Sequence, residues 1–363
     1  RERIGGFMHD VNIELWKLGV TSKTQHNEAA PAQHEVAPIY ESANVAVDHN
    51  QLVMETLKRV AGKHGLRCML HEKPFAGVNG SGKHNNWSIT TDNGVNLLEP
   101  GQTPNENIQF LLVLACIMKA VDTHADLLRQ SASNVGNDHR LGGYEAPPAI
   151  ISIFLGEQLE DVVSQLVETG KADNLKEGGM LRTGVSTLPD FVKDATDRNR
   201  TSPFAFTGNK FEFRSVGSSL NISGPNIVLN TIVAEELEQF ADELEKADDF
   251  KKALKELLVK TIKEHSKVIF NGNGYDAAWV KEATEVRGLP ELKSTVDALP
   301  HFLDEKNIKV FTKHKVFSEV EMHSRTEILL ENYSKTINIE ALTTAEMARK
   351  EILPAVMAYE KQV

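Results

Sequence analysis

The chain has 363 residues, 40% apolar and 25% charged, and only two cysteines, Cys68 and Cys116. These proportions describe a globular chain able to bury a large core and exclude a disulfide-stapled scaffold. A net charge of −11 argues against nucleic acid or anionic membrane as a partner, since both call for basic faces; small substrates and a cytoplasmic location are expected.

The opening residues, RERIGGFMHDVNIELWKLGV, show no initiator methionine, apolar signal core or small-residue cleavage pattern, and read as the inside of a longer protein. The next stretch, TQHNEAAPAQHEVAPIY (24–40), holds Asn27-Glu28 and His34-Glu35 on either side of Pro31. On one straight strand this odd separation would send the two carboxylates to opposite faces, so convergence requires a bend at the proline. Converged, Glu28 and Glu35 are hard oxygen ligands suited to magnesium or manganese; left apart, they are two solvated glutamates on a hairpin.

Apolar spacing predicts helices over 43–64 and 105–133. The longest apolar run, FLLVLACIM (110–118), is too short to span a bilayer and reads as buried helix. Between these helices lies GVNGSGKH (77–84), one residue short of a P-loop, with His84 where serine or threonine would meet magnesium. A proline precedes this loop and the strand-forming NNWSITT follows it, whereas a P-loop needs a helix there to receive phosphate. A strand would put His84, Asn86 and Ser88 on one face and Asn85 and Trp87 on the other. That polar face suits a metal and a nucleotide; a glycine-rich hairpin with a surface histidine is the plain alternative.

In NDHRLGGYEAPPAI (137–150), Arg140 and Glu145 flank a glycine pair in a proline-bounded loop, either a turn with a surface salt bridge or a lid carrying a carboxylate. AIISIFLG (149–156) suits a strand, and 157–168 a short helix. In NKFEFRSVGSS (209–219), alternation places Glu212 and Arg214 on one face and Phe211 and Phe213 toward the core. They form a structural ion pair or, with Arg198 and Arg200 upstream, a site for anionic oxygen. From residue 223 helix formers dominate, with breaks expected at Asn271–Gly274, Pro290, Pro300 and Pro354.

Taken in order, KTQHNEAAPAQHEVAPIY, LHEKPFAGVNGSGKHNNWSI, RLGGYEAP and DRNRTSPFAFTGNKFEFR resemble glutamine synthetase, in particular its type III branch, over about the first 220 residues. The resemblance implies an α+β catalytic fold, a curved and mostly antiparallel sheet flanked by helices, over 1–240, with a helical C-terminal part over 241–363. It implies ATP-dependent ligation of ammonium to the γ-carboxylate of glutamate, with two or more magnesium or manganese ions per site and homo-oligomeric rings whose sites are shared between subunits. Glu28 and Glu35 match ligands of one ion, and His84 and Glu212 ligands of the second. Asn79, Gly80 and Arg140 match the glutamate-binding residues, Glu145 the flap carboxylate, and Arg200 and Arg214 the arginines that meet the transferred phosphoryl group. Ser88, Asn86 and Lys210 fall at nucleotide contacts, with Ala205 where the family commonly has an arginine. Further family ligands and a small N-terminal domain would lie upstream of Arg1, so the chain alone is expected to be inactive. A γ-glutamyl-amine ligase and a non-catalytic assembly protein of the same fold are the rival readings.

Overall fold

The structure, a computed structural model, describes residues 2–172, 180–181, 191–192 and 199–363. Helix α1 (Glu2–Lys17) turns Phe7, Met8, Val11 and Leu15 to one side, where they pack against Val53, Val60 and Ala61 of α2 (Ala43–Lys63). Between these helices the chain forms a hairpin, β1 (Ser22–Asn27) antiparallel to β2 (His34–Pro38). The turn runs through Pro31, with Glu28 N–H donating to Gln33 O at 3.0 Å and Ala32 in the left-handed region. This is the bend that the odd carboxylate spacing demanded.

The main sheet is built from β3 (Gly82–Trp87), β4 (Ile153–Phe154), β7 (Phe204–Phe206) and β8 (Phe211–Gly217); β5 (Met180–Leu181) and β6 (Phe191–Val192) pair separately. Its order is β3-β8-β7-β4, antiparallel except for the parallel pairing of β7 with β4. The expected α+β class and mostly antiparallel sheet are thus present. Trp87, Phe204, Phe206, Phe211 and Phe213 fill the inner face, with the Phe204 and Phe211 rings stacked at 4.5 Å.

Behind that face runs α3 (Ile108–Thr123), apolar on nearly every side and therefore buried on nearly every side. The single helix expected over 105–133 is interrupted at His124; α4 (Ala125–Gln130) follows, and Asn134 caps the start of α5 (Val135–Arg140). Helices α6 (Glu157–Thr169), α7 (Ser223–Glu245) and α8 (Phe250–His265) contribute the remaining walls of this core.

The expected helical C-terminal part is present, but Pro354 does not break it. Helix Glu319–Met347 continues through a wide π-helical turn, Ala348–Ile352, into Leu353–Glu360, where the proline sits in the first turn and its missing N–H is tolerated. None of the described helices is long and apolar enough to cross a membrane.

Candidate active site

Strands β3 and β8 form a polar ledge on the side of the sheet away from the phenylalanines. Asn86 lies directly opposite Glu212, and His84 and Asn86 are exposed while Asn85 and Trp87 are buried. Ser88, just past the strand, is exposed on the same alternation. Since a strand follows the glycine-rich loop, its amides are not backed by a helix N-terminus, and the P-loop reading fails on geometry. The register slips between Lys83 and Asn85, so that Arg214 and Ser215 of β8 face His84 alone, a bulge that re-aims side chains locally.

His84 Nδ1 lies 2.9 Å from Glu212 Oε1, while Arg214 donates to Glu212 Oε2 through Nε at 3.1 Å and Nη2 at 3.0 Å. Both Glu212 and Arg214 are buried. Burial pushes the Glu212 carboxyl up, but the His84 hydrogen bond and the Arg214 charge outweigh it and hold the group at about 2. The ledge therefore presents a permanent anion, an imidazole and a guanidinium together.

The β1–β2 hairpin gathers a second group. His26 Nε2 lies 2.9 Å from Glu28 and 3.2 Å from Glu35, and the three offer donor atoms all within 4.8 Å of one another. Burial and then the neighbouring Glu28 carboxyl push Glu35 up, with His26 opposing, so a cation would relieve the crowding. Sequence reasoning found both glutamates and missed His26, although its i, i+2 spacing from Glu28 already places the two on one face of a strand. Among the described residues no ion pair joins this group to His84 and Glu212; the link is Gln33 Nε2 donating to Asn79 O at 3.3 Å.

The glycines of GVNGSGKH serve close approach. A Cβ on Gly80 would collide with the Glu72 carbonyl, and one on Gly82 with the Arg140 guanidinium. Glu72 is buried and accepts from Asn134 at 3.0 Å and Ser219 at 2.7 Å. Arg140 was expected in a loop beside Glu145. It instead ends α5, buried, donating to Arg214 O, Ser215 O and Val216 O at 3.2 to 3.4 Å, so it pins the bulge from beneath. Burial pulls its pKa down to about 10, against the charge of Glu72.

Glu145 has a different partner: Arg200 Nη1 donates to its Oε1 at 2.6 Å, with both side chains exposed. Tyr144 and Glu145 both hold positive φ, 52° and 68°, although neither is glycine. Such conformations cost of order 1–3 kcal/mol each and cluster where a segment has work to do. The Lys73 ammonium lies 4.5 Å from the Tyr144 ring centre, so the Tyr144–Glu145 segment packs against the residues that lead into the glycine loop.

Lys210 stands in the β7–β8 turn, donating to Asn209 at 3.3 Å. Ala205 lies opposite Glu212 in register and is fully buried. Arg198 lies outside the described residues.

Residues 2–151 match the family model described as "Glutamine synthetase, catalytic domain", and residues 253–363 the one described as "Glutamine synthetase C-terminal domain". The chain is 52% identical to a glutamine synthetase of Butyrivibrio fibrisolvens, the alignment covering 100% of this chain and 52% of the relative. It is 51% identical to a type-3 glutamine synthetase of Dictyostelium discoideum, covering 99% and 49%. In fold it resembles the solved "GmaS/ADP complex-Conformation 1", with TM-score 0.50, 18% identity, and 91% of this chain and 61% of that one covered. The chain thus spans about half the length of the curated relatives it matches.

Proposed function

Because this chain belongs to the glutamine synthetase family, we propose that it carries much of the active site of a type III enzyme that ligates ammonium to glutamate at the expense of ATP. The observation that carries the reading is the convergence of His84, Glu212 and Arg214 on one polar ledge, with Glu145 and Arg200 paired at the flap. Glu28, Glu35 and His26 have the donor set to hold one divalent ion, magnesium or manganese, and His84 and Glu212 to contribute to a second. Bound there, such ions would neutralise phosphate charge.

Amide formation from a carboxylate needs an activated acyl group. ATP phosphorylates the γ-carboxylate, and ammonia displaces phosphate from the acyl carbon. Arg214 and Arg200 neutralise the transferring phosphoryl group, and Glu145 takes a proton from ammonium while the flap keeps water out. Asn79 and Gly80 line the approach of glutamate. Arg140 anchors its carboxylate. Asn86, Ser88 and Lys210 face the nucleotide. The relatives are about twice as long, and the reading assigns to their additional half the remaining metal ligands and the closure of the site, so the chain alone is inactive. Ring assembly belongs to the same reading.

The test is phosphate release from ATP by the full-length natural protein, with glutamate and either ammonium or alternative amines at equal concentration. Release with ammonium supports the reading. Release only with other amines makes the protein a γ-glutamyl-amine ligase, and no release with any amine leaves a non-catalytic assembly role.

A further inference from the structure

Lys83, Asn85 and Trp87 alternate on the face of β3 turned away from the ledge, and each is held by the chain that follows β8. Lys83 Nζ donates to Leu220 O, Asn85 Nδ2 to Asn226 Oδ1 at 2.9 Å, and Trp87 Nε1 to Asn230 Oδ1 at 2.9 Å. The two acceptor asparagines stand four residues apart on α7, about 6 Å of helical rise, and their partners two residues apart on β3, about 6.7 Å. The match lays the start of α7 along the strand.

The first two of these bonds bracket His84, the residue at which the ladder slips. Lys83 pairs with Val216 and Asn85 with Phe213, which leaves Arg214 and Ser215 opposite His84. On the β8 side the slip is held by α5: Arg214 O and Val216 O accept from Arg140 at 3.2 and 3.3 Å, and Ser215 O accepts from Asn137 Nδ2 at 2.7 Å. On the β3 side the residues flanking His84 are those that reach Leu220 and Asn226. A bulge bends and twists the strands it joins, so the aim of His84 depends on what fixes its two neighbours. The Lys83 bond ends on a flexible four-carbon stem. The Asn85–Asn226 bond joins two short side chains, one on a strand and one on a helix, and is the stiffer hold.

We infer that Asn226 is a positioning residue for His84: its side-chain oxygen fixes Asn85 and thereby keeps the imidazole on the opposite face beside the Glu212 carboxylate, where the two can hold an ion. The inference rests on the metal reading of the ledge proposed above. Without this bond β3 keeps its pairing at Asn86 and Trp87 but can turn at the slip.

The test uses Asn226→Ala, Asn226→Asp and Asn230→Ala in the full-length natural protein, with manganese as the probe. Asn226→Ala removes the acceptor at a half-buried helical position that suits alanine. Asn226→Ser, whose hydroxyl falls short of Asn85, takes its place if that variant does not fold. Loss of one hydrogen bond predicts roughly 2- to 12-fold weaker binding of the manganese ion that His84→Ser also weakens. Asn226→Asp keeps an acceptor oxygen and should restore the affinity. Asn230→Ala deletes the same kind of bond away from His84 and should weaken manganese less. Hydrogen exchange at residues 83–86 should quicken in Asn226→Ala, and kcat for glutamine should recover at saturating manganese. If wild type binds manganese but shows no glutamate- and ammonium-dependent phosphate release, the ligase reading fails while the manganese titration still decides the role of Asn226. Unchanged manganese affinity in Asn226→Ala overturns the inference, as does wild type that binds no manganese through His84. Equal weakening in Asn230→Ala overturns it too, since that would be a general loosening of α7 from β3.

Discussion

Arg200 and Glu145, 55 residues apart in sequence, meet at 2.6 Å across the mouth of the site. The pair is exposed at both ends, 67% for Arg200 and 54% for Glu145, so it contributes little to stability and its partners can separate readily. A bond of that kind suits the flap role proposed for Glu145.

Glu145→Ala should lower glutamine formation by about 100-fold or more, the scale of losing a positioned acid–base group. Nucleotide affinity should stay where it was, since no nucleotide contact is assigned to this residue. Parallel losses in ADP affinity and in kcat would remove Glu145 from the flap chemistry and make it a structural residue.

His84→Ser restores the letter of a P-loop, G-x-x-x-x-G-K-S, yet should raise the magnesium concentration needed for activity on the order of tenfold. The serine hydroxyl falls short of the Glu212 carboxylate that the imidazole reaches at 2.9 Å, and β3 offers no helix N-terminus for phosphate. Unchanged magnesium dependence in a titration of phosphate release would show that His84 is no ligand.

Much of this arrangement is written in local period. The alternation in KFEFRSV places Glu212 and Arg214 together because strand side chains repeat every two residues, and the bend at Pro31 follows from the same rule applied to Glu28 and Glu35. What has no local period could not be read. The bulge opposite His84 depends on which residues of β8 meet β3, and the burial of Arg140 depends on three carbonyls more than 70 residues away. The hold that Asn199 and Thr201 keep on the loop at Gly272 and Gly274 likewise joins residues more than 70 apart. Pro354 misled for the opposite reason: its local rule is right for an α-helical interior, and the chain evades it by widening one turn.

The junction between α7 and helix Glu305–Lys313 should weaken in acid. Glu235 accepts from Lys313 Nζ at 2.7 Å, His314 Nε2 at 2.8 Å and Gln239 Nε2 at 2.9 Å. Burial pushes its carboxyl up, but these three donors outweigh it and hold the group at about 2, against an ordinary 4.5. A depressed carboxyl contributes its stability above the unfolded value and loses it as pH falls through the folded one, so the loss belongs between pH 4.5 and about 2. The shift corresponds to about 3 kcal/mol at most. Denaturant unfolding across that window should show Glu235→Gln with a flatter pH dependence than wild type; identical slopes would place the acid sensitivity elsewhere.

Two glycine-to-alanine changes should move stability in opposite directions. Gly5 lies exposed in α1 with nothing within 4 Å of the position a Cβ would take, so alanine there adds helix propensity and should stabilise by up to about 1 kcal/mol. At Gly80 the same methyl group meets the Glu72 carbonyl oxygen and approaches Lys73 Cδ at 3.2 Å. The carbonyl is backbone and cannot rotate away, and it is already held by Ser81 N–H at 2.7 Å, so the loop itself has to move. Overpacking of this kind costs about 1–3 kcal/mol. The displaced loop also carries Asn79 and leads directly into His84, so glutamate and metal affinities should fall together in Gly80→Ala and stay unchanged in Gly5→Ala. Denaturant midpoints at constant m-value measure the first effect, and titrations of glutamate and magnesium the second. Equal stability of the two variants would mean that the loop does not rest on Glu72 as the structure has it.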